Sequence, residues 1–186
     1  HYLSGFEALD VDSRIDPQPA FSACRDTVKE YPVAENEGEE ENTYLSYNMV
    51  VGDTTDNVKC LAFEVLDYAL LSAPGAPLKK ALLDAGIGKD IYGSFEDGIL
   101  QPYFTIVAKG SNLDKKEEFV SLIRQVLGEI VHNGVDKKAI LAGINYMEFR
   151  YREADFGSYP KGLMYGLDIM GDWLYGDEQP FAQVQQ

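Results

Sequence analysis

Between Phe119 and Ile130 the apolar residues Phe119, Leu122, Ile123, Val126, Leu127 and Ile130 recur at spacings of three and four. They form a single stripe on a helix that Asn133-Gly134 brings to an end. A helix with one broad apolar stripe must bury it against a second layer, and most of the fold follows from finding that layer. Residues 43–51 supply part of it. Leu45, Tyr47, Met49 and Val51 alternate onto one face, the period-two pattern of a half-buried strand. Residues 90–95 and 101–109 read as two further strands flanking Glu96-Asp97-Gly98, a hairpin turn. The second of these is nearly all apolar or β-branched, which suits a central strand.

The remaining segments punctuate this frame. Asp53, Thr54 and Thr55 offer capping oxygens for a helix carrying Val58, Leu61, Ala62, Val65, Leu66, Ala69 and Leu70, to about Leu71. A second helix is expected from Pro77 to Ala85, with Gly86 in the left-handed position that closes it. Asp136 caps a helix bearing Ile140, Leu141, Ile144, Met147 and Tyr151. A last helix carries Leu163, Met164, Leu167, Met170, Trp173 and Leu174. Arg25 to Val33 reads as a short extended piece that Pro32 confines to an edge. Strand, two helices, paired strands, then helices predict an α+β fold, a mainly antiparallel sheet with helices packed on one face. Residues 1–23, broken by Gly5, Pro17 and Pro19, read as a connector from a preceding domain, and residues 24–186 as one α+β domain of a larger protein.

The chain has 186 residues and a net charge of −15, with 31 acidic against 16 basic residues. That balance argues against nucleic acid, whose affinity comes from lysine and arginine neutralising phosphates. No apolar run approaches the roughly 18 residues of a membrane span, so no membrane partner is expected. Cys24 and Cys60 stand alone, outside any CxxC pattern. They suggest reduced thiols and a cytoplasmic or other intracellular setting, with a single disulfide left open. The acidic run Glu35, Glu37, Glu39, Glu40 and Glu41 reads as a solvated loop.

Several near-motifs fail. Gly86-Ile87-Gly88-Lys89-Asp90 has Leu83 and Asp90 where a phosphate loop needs glycine and a hydroxyl residue. Asp10-Val11-Asp12-Ser13-Arg14-Ile15 puts Arg14, Ile15 and Phe21 at calcium-loop positions that need an oxygen ligand, a glycine and a glutamate. Glu129 and His132 make one E-x-x-H where a di-iron bundle needs two. His1 and His132 are the two histidines, and neither has a second histidine at ligand spacing, so a three-ligand zinc site is not expected. Serine, cysteine and aspartate nucleophile schemes lack a base for the same reason. No catalytic and no metal-ligating residue is assigned. The aromatic-rich final third reads first as core and domain-interface packing, and second as a wall for apolar side chains of a peptide.

The strand Tyr44-Leu45-Ser46-Tyr47, the helix from Ala62 to Leu70, the run from Ala76 to Asp90, and Phe156-Gly157-Ser158-Tyr159-Pro160-Lys161-Gly162-Leu163-Met164 with Trp173-Leu174-Tyr175 stand in a telling order. They resemble the presequence-protease branch of the insulinase-like, or pitrilysin, zinc metallopeptidases, over roughly three quarters of the chain, and within that branch the second of four related domains. The family's first domain carries an inverted H-x-x-E-H zinc motif, which this chain lacks. Its fourth domain lends an Arg and a Tyr whose corresponding positions here are Leu83 and Lys89. The resemblance therefore implies a non-catalytic domain that lines a substrate chamber. Zinc would lie in the parent protein's preceding domain, and the partners would be peptide substrates and other domains of the same chain. The alternative is an inactive peptidase-fold structural or interaction module. An H-x-x-E-H motif in the coding sequence upstream of His1 separates the two. The family's substrates lie extended, so Ile91, Tyr92, Gly93 and Ser94 are expected to bind peptide by strand addition, with Gly93 offering an unobstructed backbone. The alternative is that Gly93 only marks a bulge or bend in the strand.

Overall fold

The computed structural model describes residues 2–12, 14, 16–35, 38–153 and 156–176. The chain divides into two units, His1–Glu30 and Tyr31–Gln186. Among the described residues of the first unit there is one short 3-10 turn, Leu3–Gly5, and no strand. Local contacts order parts of it. Tyr2 meets Phe6 edge to face at 5.3 Å, and the Arg14 guanidinium holds both carboxylate oxygens of Asp12 at 3.0 Å.

The second unit begins its regular structure with strand β1 (Thr43–Val50), then helix α1 (Asn57–Asp67), helix α2 (Pro77–Asp84), strands β2 (Asp90–Glu96) and β3 (Tyr103–Ser111), and helices α3 (Lys116–Asn133), α4 (Lys137–Glu153) and α5 (Lys161–Leu174). The three strands are antiparallel in the order β1-β3-β2, so β3 is central and β2 lies at an edge. Leu45, Ala108 and Ile91 share one cross-strand row. Tyr47, Ile106 and Gly93 share the next, and Met49, Phe104 and Phe95 the third. All nine point to the helix layer, as the alternation requires.

Against these rows pack Leu78 and Leu82 of α2, Ile87, and Phe119, Ile123 and Val126 of α3, with Leu70 and Leu71 from the end of the first helical segment. Each such side chain, fully buried, contributes about 1.5–3 kcal/mol. The opposite sheet face is polar: Thr105 Oγ1 donates to Asn48 Oδ1 at 2.8 Å, and Asn48 Nδ2 donates to Ser46 Oγ at 2.9 Å. The fold is thus α+β with helices on one face, as the sequence pattern predicts.

Local chemistry sets the boundaries. Pro77 opens α2, where its missing N–H costs nothing. Gly86 follows with φ of 64°, and the amides of Gly86 and Ile87 reach back to the carbonyls of Leu83 and Leu82. Three expectations are corrected. The cap of α1 is Asp56, whose carboxylate accepts from the Lys59 amide at 3.1 Å, whereas Asp53 is engaged by the amide and hydroxyl of Thr55. The helix is α-helical to Asp67 and continues as a π-helical turn, Tyr68–Ser72, which carries Ala69, Leu70 and Leu71 into the core. Arg25 to Val33 forms no strand, having no neighbouring ladder to join.

Candidate functional site

β2 holds the four residues singled out for peptide binding, side by side. Ile91 is fully buried in the core and Tyr92 is 43% exposed on the polar face. Gly93 and Ser94 are half-buried. The ladder with β3 runs in register through Gly93, opposite Ile106, so the glycine marks no bulge. Its role is close approach. A Cβ at 93 would land on Leu71 Cδ1, 2.8 Å from the Thr105 carbonyl oxygen and 2.9 Å from Asp67 Oδ1. The end of α1 and its π-helical turn sit directly on this strand because residue 93 has no side chain.

Asp67 is consequently enclosed. Its Oδ1 is buried with no hydrogen-bond partner, and burial pushes its carboxyl above the usual range, partly offset by a hydrogen bond with Ser72. A second group of polar residues, which the sequence did not reveal, gathers about one turn earlier on α1. Glu64 of α1 accepts from the Tyr151 hydroxyl of α4 at 3.2 and 3.3 Å to its two oxygens. Asp97, in the β2–β3 connection, raises the Glu64 carboxyl in addition to burial, and its own carboxyl is raised by burial. No sequence signal joins residues 64 and 151, because they lie on different helices and neither interrupts its helix's periodicity.

Nothing in this arrangement fits zinc. His132 is exposed at the end of α3, and among the described residues no three His, Cys, Asp or Glu side chains gather to hold a metal ion. Cys24 and Cys60 are both free thiols. Burial, followed by the nearby Asp97, Asp56 and Glu64, pushes the Cys60 thiol up to about 11. It is therefore a packed thiol that donates weakly to the Thr54 carbonyl, not a nucleophile. The isolated chain is expected to retain only substoichiometric zinc after dialysis and to leave a fluorogenic peptide uncut. Stoichiometric zinc with chelator-sensitive cleavage would overturn that expectation.

Among the described residues no helix is long and apolar enough to cross a membrane. A family model described as the peptidase M16 inactive domain matches residues 1–147. Protein HypA of Clostridium perfringens (strain 13 / Type A) is 45% identical over 184 residues, covering 99% of this chain and 19% of that protein. Presequence protease 1, chloroplastic/mitochondrial, of Arabidopsis thaliana is 33% identical over 188 residues, covering 99% of this chain and 17% of that protein. The chain thus spans less than a fifth of the length of these relatives. A solved inactive peptidase domain from Bordetella parapertussis superposes with a TM-score of 0.63 at 9% identity, over 76% of this chain and 75% of that one. A chain from Bordetella pertussis Tohama I, designated a zinc protease, does so with a TM-score of 0.62 at 12% identity, over 77% and 78%. A sheet layered with helices on one face and a family match that covers residues 1–147 lead to one conclusion: the chain belongs to the M16 peptidase family, as an inactive domain.

Proposed function

We propose that this domain holds extended peptide for a zinc-dependent peptide-degrading parent, through the free side of β2 at Ile91, Tyr92, Gly93 and Ser94. The observation that carries the reading is the strand order: β2 pairs with β3 on one side only. An edge strand offers unpaired N–H and C=O groups to an extended chain. The other edge is less open, because the Tyr31 ring packs on Tyr44 at 5.8 Å and its hydroxyl donates to the Asn42 carbonyl at the start of β1. The zinc and the water-activating glutamate belong, in this reading, to a preceding domain of the same polypeptide. An intracellular setting fits the two free thiols and the presequence proteases among the relatives.

Contact with other domains of the parent has its own support. No residue of α5 is buried, and Leu163, Leu167, Met170, Trp173 and Leu174 are all exposed along it. A stripe of that kind belongs in an interface.

Hydrogen exchange on the full-length protein tests the peptide reading. A saturating long peptide should protect amides of residues 91–94, and the same peptide with alternate N-methylated amides should not. Tyr92→Ala should raise KM for long peptides roughly fivefold, the equivalent of about 1 kcal/mol, and leave short ones unaffected. Protection confined to β1, or equal effects on both peptide lengths, would remove β2 as the binding edge.

A further inference from the structure

The backbone groups of β2 divide between its two sides, and the division can be read from the far side of the sheet. The Val51 amide donates to the Pro102 carbonyl at 2.9 Å, in the register that sets Met49 opposite Phe104, Tyr47 opposite Ile106 and Leu45 opposite Ala108. Hydrogen-bonded pairs recur at every second residue of an antiparallel ladder, so Phe104, Ile106 and Ala108 turn their amides and carbonyls toward β1. Tyr103, Thr105, Val107 and Lys109 then face β2, and the Lys109 carbonyl does accept from the Lys89 amide at 2.8 Å. Their partners on β2 are Glu96, Ser94, Tyr92 and Asp90. The backbone groups of Ile91, Gly93 and Phe95 are left on the free side.

These three positions are not equivalent. Asp90 Oδ1 accepts from the Ile91 amide at 2.8 Å and from Lys79 Nζ of α2 at 3.0 Å. The first free donor of the edge is therefore already engaged, by a carboxylate that a lysine holds in place. No hydrogen bond among the described residues reaches the amide of Gly93 or Phe95 from that side. A hydrogen bond to a carboxylate is roughly twice as strong as one to a neutral carbonyl, so a peptide carbonyl does not readily displace Asp90. Charges placed at a sheet edge restrict what can pair with it.

We propose that Asp90, held by Lys79, caps the Ile91 amide and so sets the register in which extended peptide adds to β2: the new ladder runs through Gly93 and Phe95 and stops short of Ile91. This rests on β2 being the peptide-binding edge, and it adds which backbone groups of that edge the peptide uses. Asp90 is a positioning residue in this arrangement, acting through the Ile91 amide. The pair can be altered without unfolding the strand, because the Asp90 and Lys79 side chains are 55% and 36% exposed and such pairs contribute little to stability.

Hydrogen exchange resolved to single amides of the full-length protein tests the cap. The probe is a blocked peptide of about ten alternating threonine and lysine residues, soluble and β-prone on one face, with chelator present to prevent cleavage. At saturation the gain in protection should be at least about tenfold larger at Gly93 and Phe95 than at Ile91. In Asp90→Ala the Ile91 amide should gain as much as Gly93, and the peptide should bind about two- to tenfold more tightly, the equivalent of one more backbone hydrogen bond. Asp90→Asn keeps an acceptor oxygen for the Ile91 amide and should keep the wild-type pattern. Equal gains at Ile91 and Gly93 in the wild type, or an Asp90→Ala variant with wild-type pattern and affinity, would overturn the cap while leaving β2 as the binding edge. Protection absent along the whole of β2 would remove the edge itself, and the cap's role with it.

Discussion

Ile123→Asp is expected to unfold the second unit at neutral pH, and Val131→Asp on the same helix to leave its stability within about 0.5 kcal/mol. Ile123 is fully buried on the face of α3 that meets the sheet, whereas Val131 is 85% exposed. The substitution removes an isoleucine from the core and places a carboxylate there without a partner. Cavity and transfer effects alone cost about 2–5 kcal/mol, and burying the charge adds to that. The sum is comparable to the roughly 5–15 kcal/mol that holds a typical domain together. The introduced carboxyl would have its pKa raised by burial, so the penalty is largest above that raised value and shrinks as the pH is lowered through it. Urea unfolding followed by circular dichroism at pH 7 and pH 5 measures both the loss and its sign. Equal stability of the two variants would mean that α3 faces the sheet with a different side.

The stripe on α3 was legible because six apolar residues at helical spacing can satisfy only one face. Its centre was less legible. Phe119, Ile123 and Val126 are buried, whereas Leu122, Leu127 and Ile130 are packed at the margin. Periodicity defines a broad face and not the line along which the sheet touches it. The strands were clear for a related reason, since alternation in residues 43–51 fixes which side chains point inward. The same logic fails for α4 and α5. Amphipathic spacing says that Leu141, Ile144, Leu163 and Leu167 share helical faces, yet it cannot say whether their cover lies within the same stretch of chain. These side chains are exposed. Nor could spacing find the meeting of Glu64 and Tyr151, whose residues lie far apart in sequence and draw together only when α4 folds back on α1. The strand proposed to take peptide does lie at a sheet edge, but the reason for its glycine was not visible. A glycine in a strand is compatible with a bulge, an open edge or a close neighbour, and only coordinates distinguish these.

That neighbour sets the second large effect. Gly93→Ala is expected to destabilise the unit by about 2–3 kcal/mol, and Gly93→Val by more. The added Cβ would collide with Leu71 Cδ1 and crowd the Thr105 carbonyl oxygen and Asp67 Oδ1. Two of those three atoms have little freedom. Thr105 belongs to the central strand, and Leu71 is 1% exposed among core side chains. If the collision with Leu71 dominates, shortening that side chain should relieve it. Leu71→Ala alone leaves a cavity and costs about 2–5 kcal/mol. Combined with Gly93→Ala it should cost at least about 1 kcal/mol less than the sum of the two single changes, because the new methyl group occupies part of the vacated space. Strict additivity would mean that the strand shifts away from the helix instead. The distinction matters for any test of peptide capture. A glycine variant that weakens binding does so through a displaced β2 and a disturbed α1, so its KM cannot be assigned to lost contact with peptide. Tyr92 lies on the polar face, away from Leu71 and Asp67, and its truncation leaves the helix contact intact. A fall in peptide affinity with unchanged melting temperature in Tyr92→Ala, beside a lowered melting temperature in Gly93→Ala, separates the binding role of the strand from its packing role.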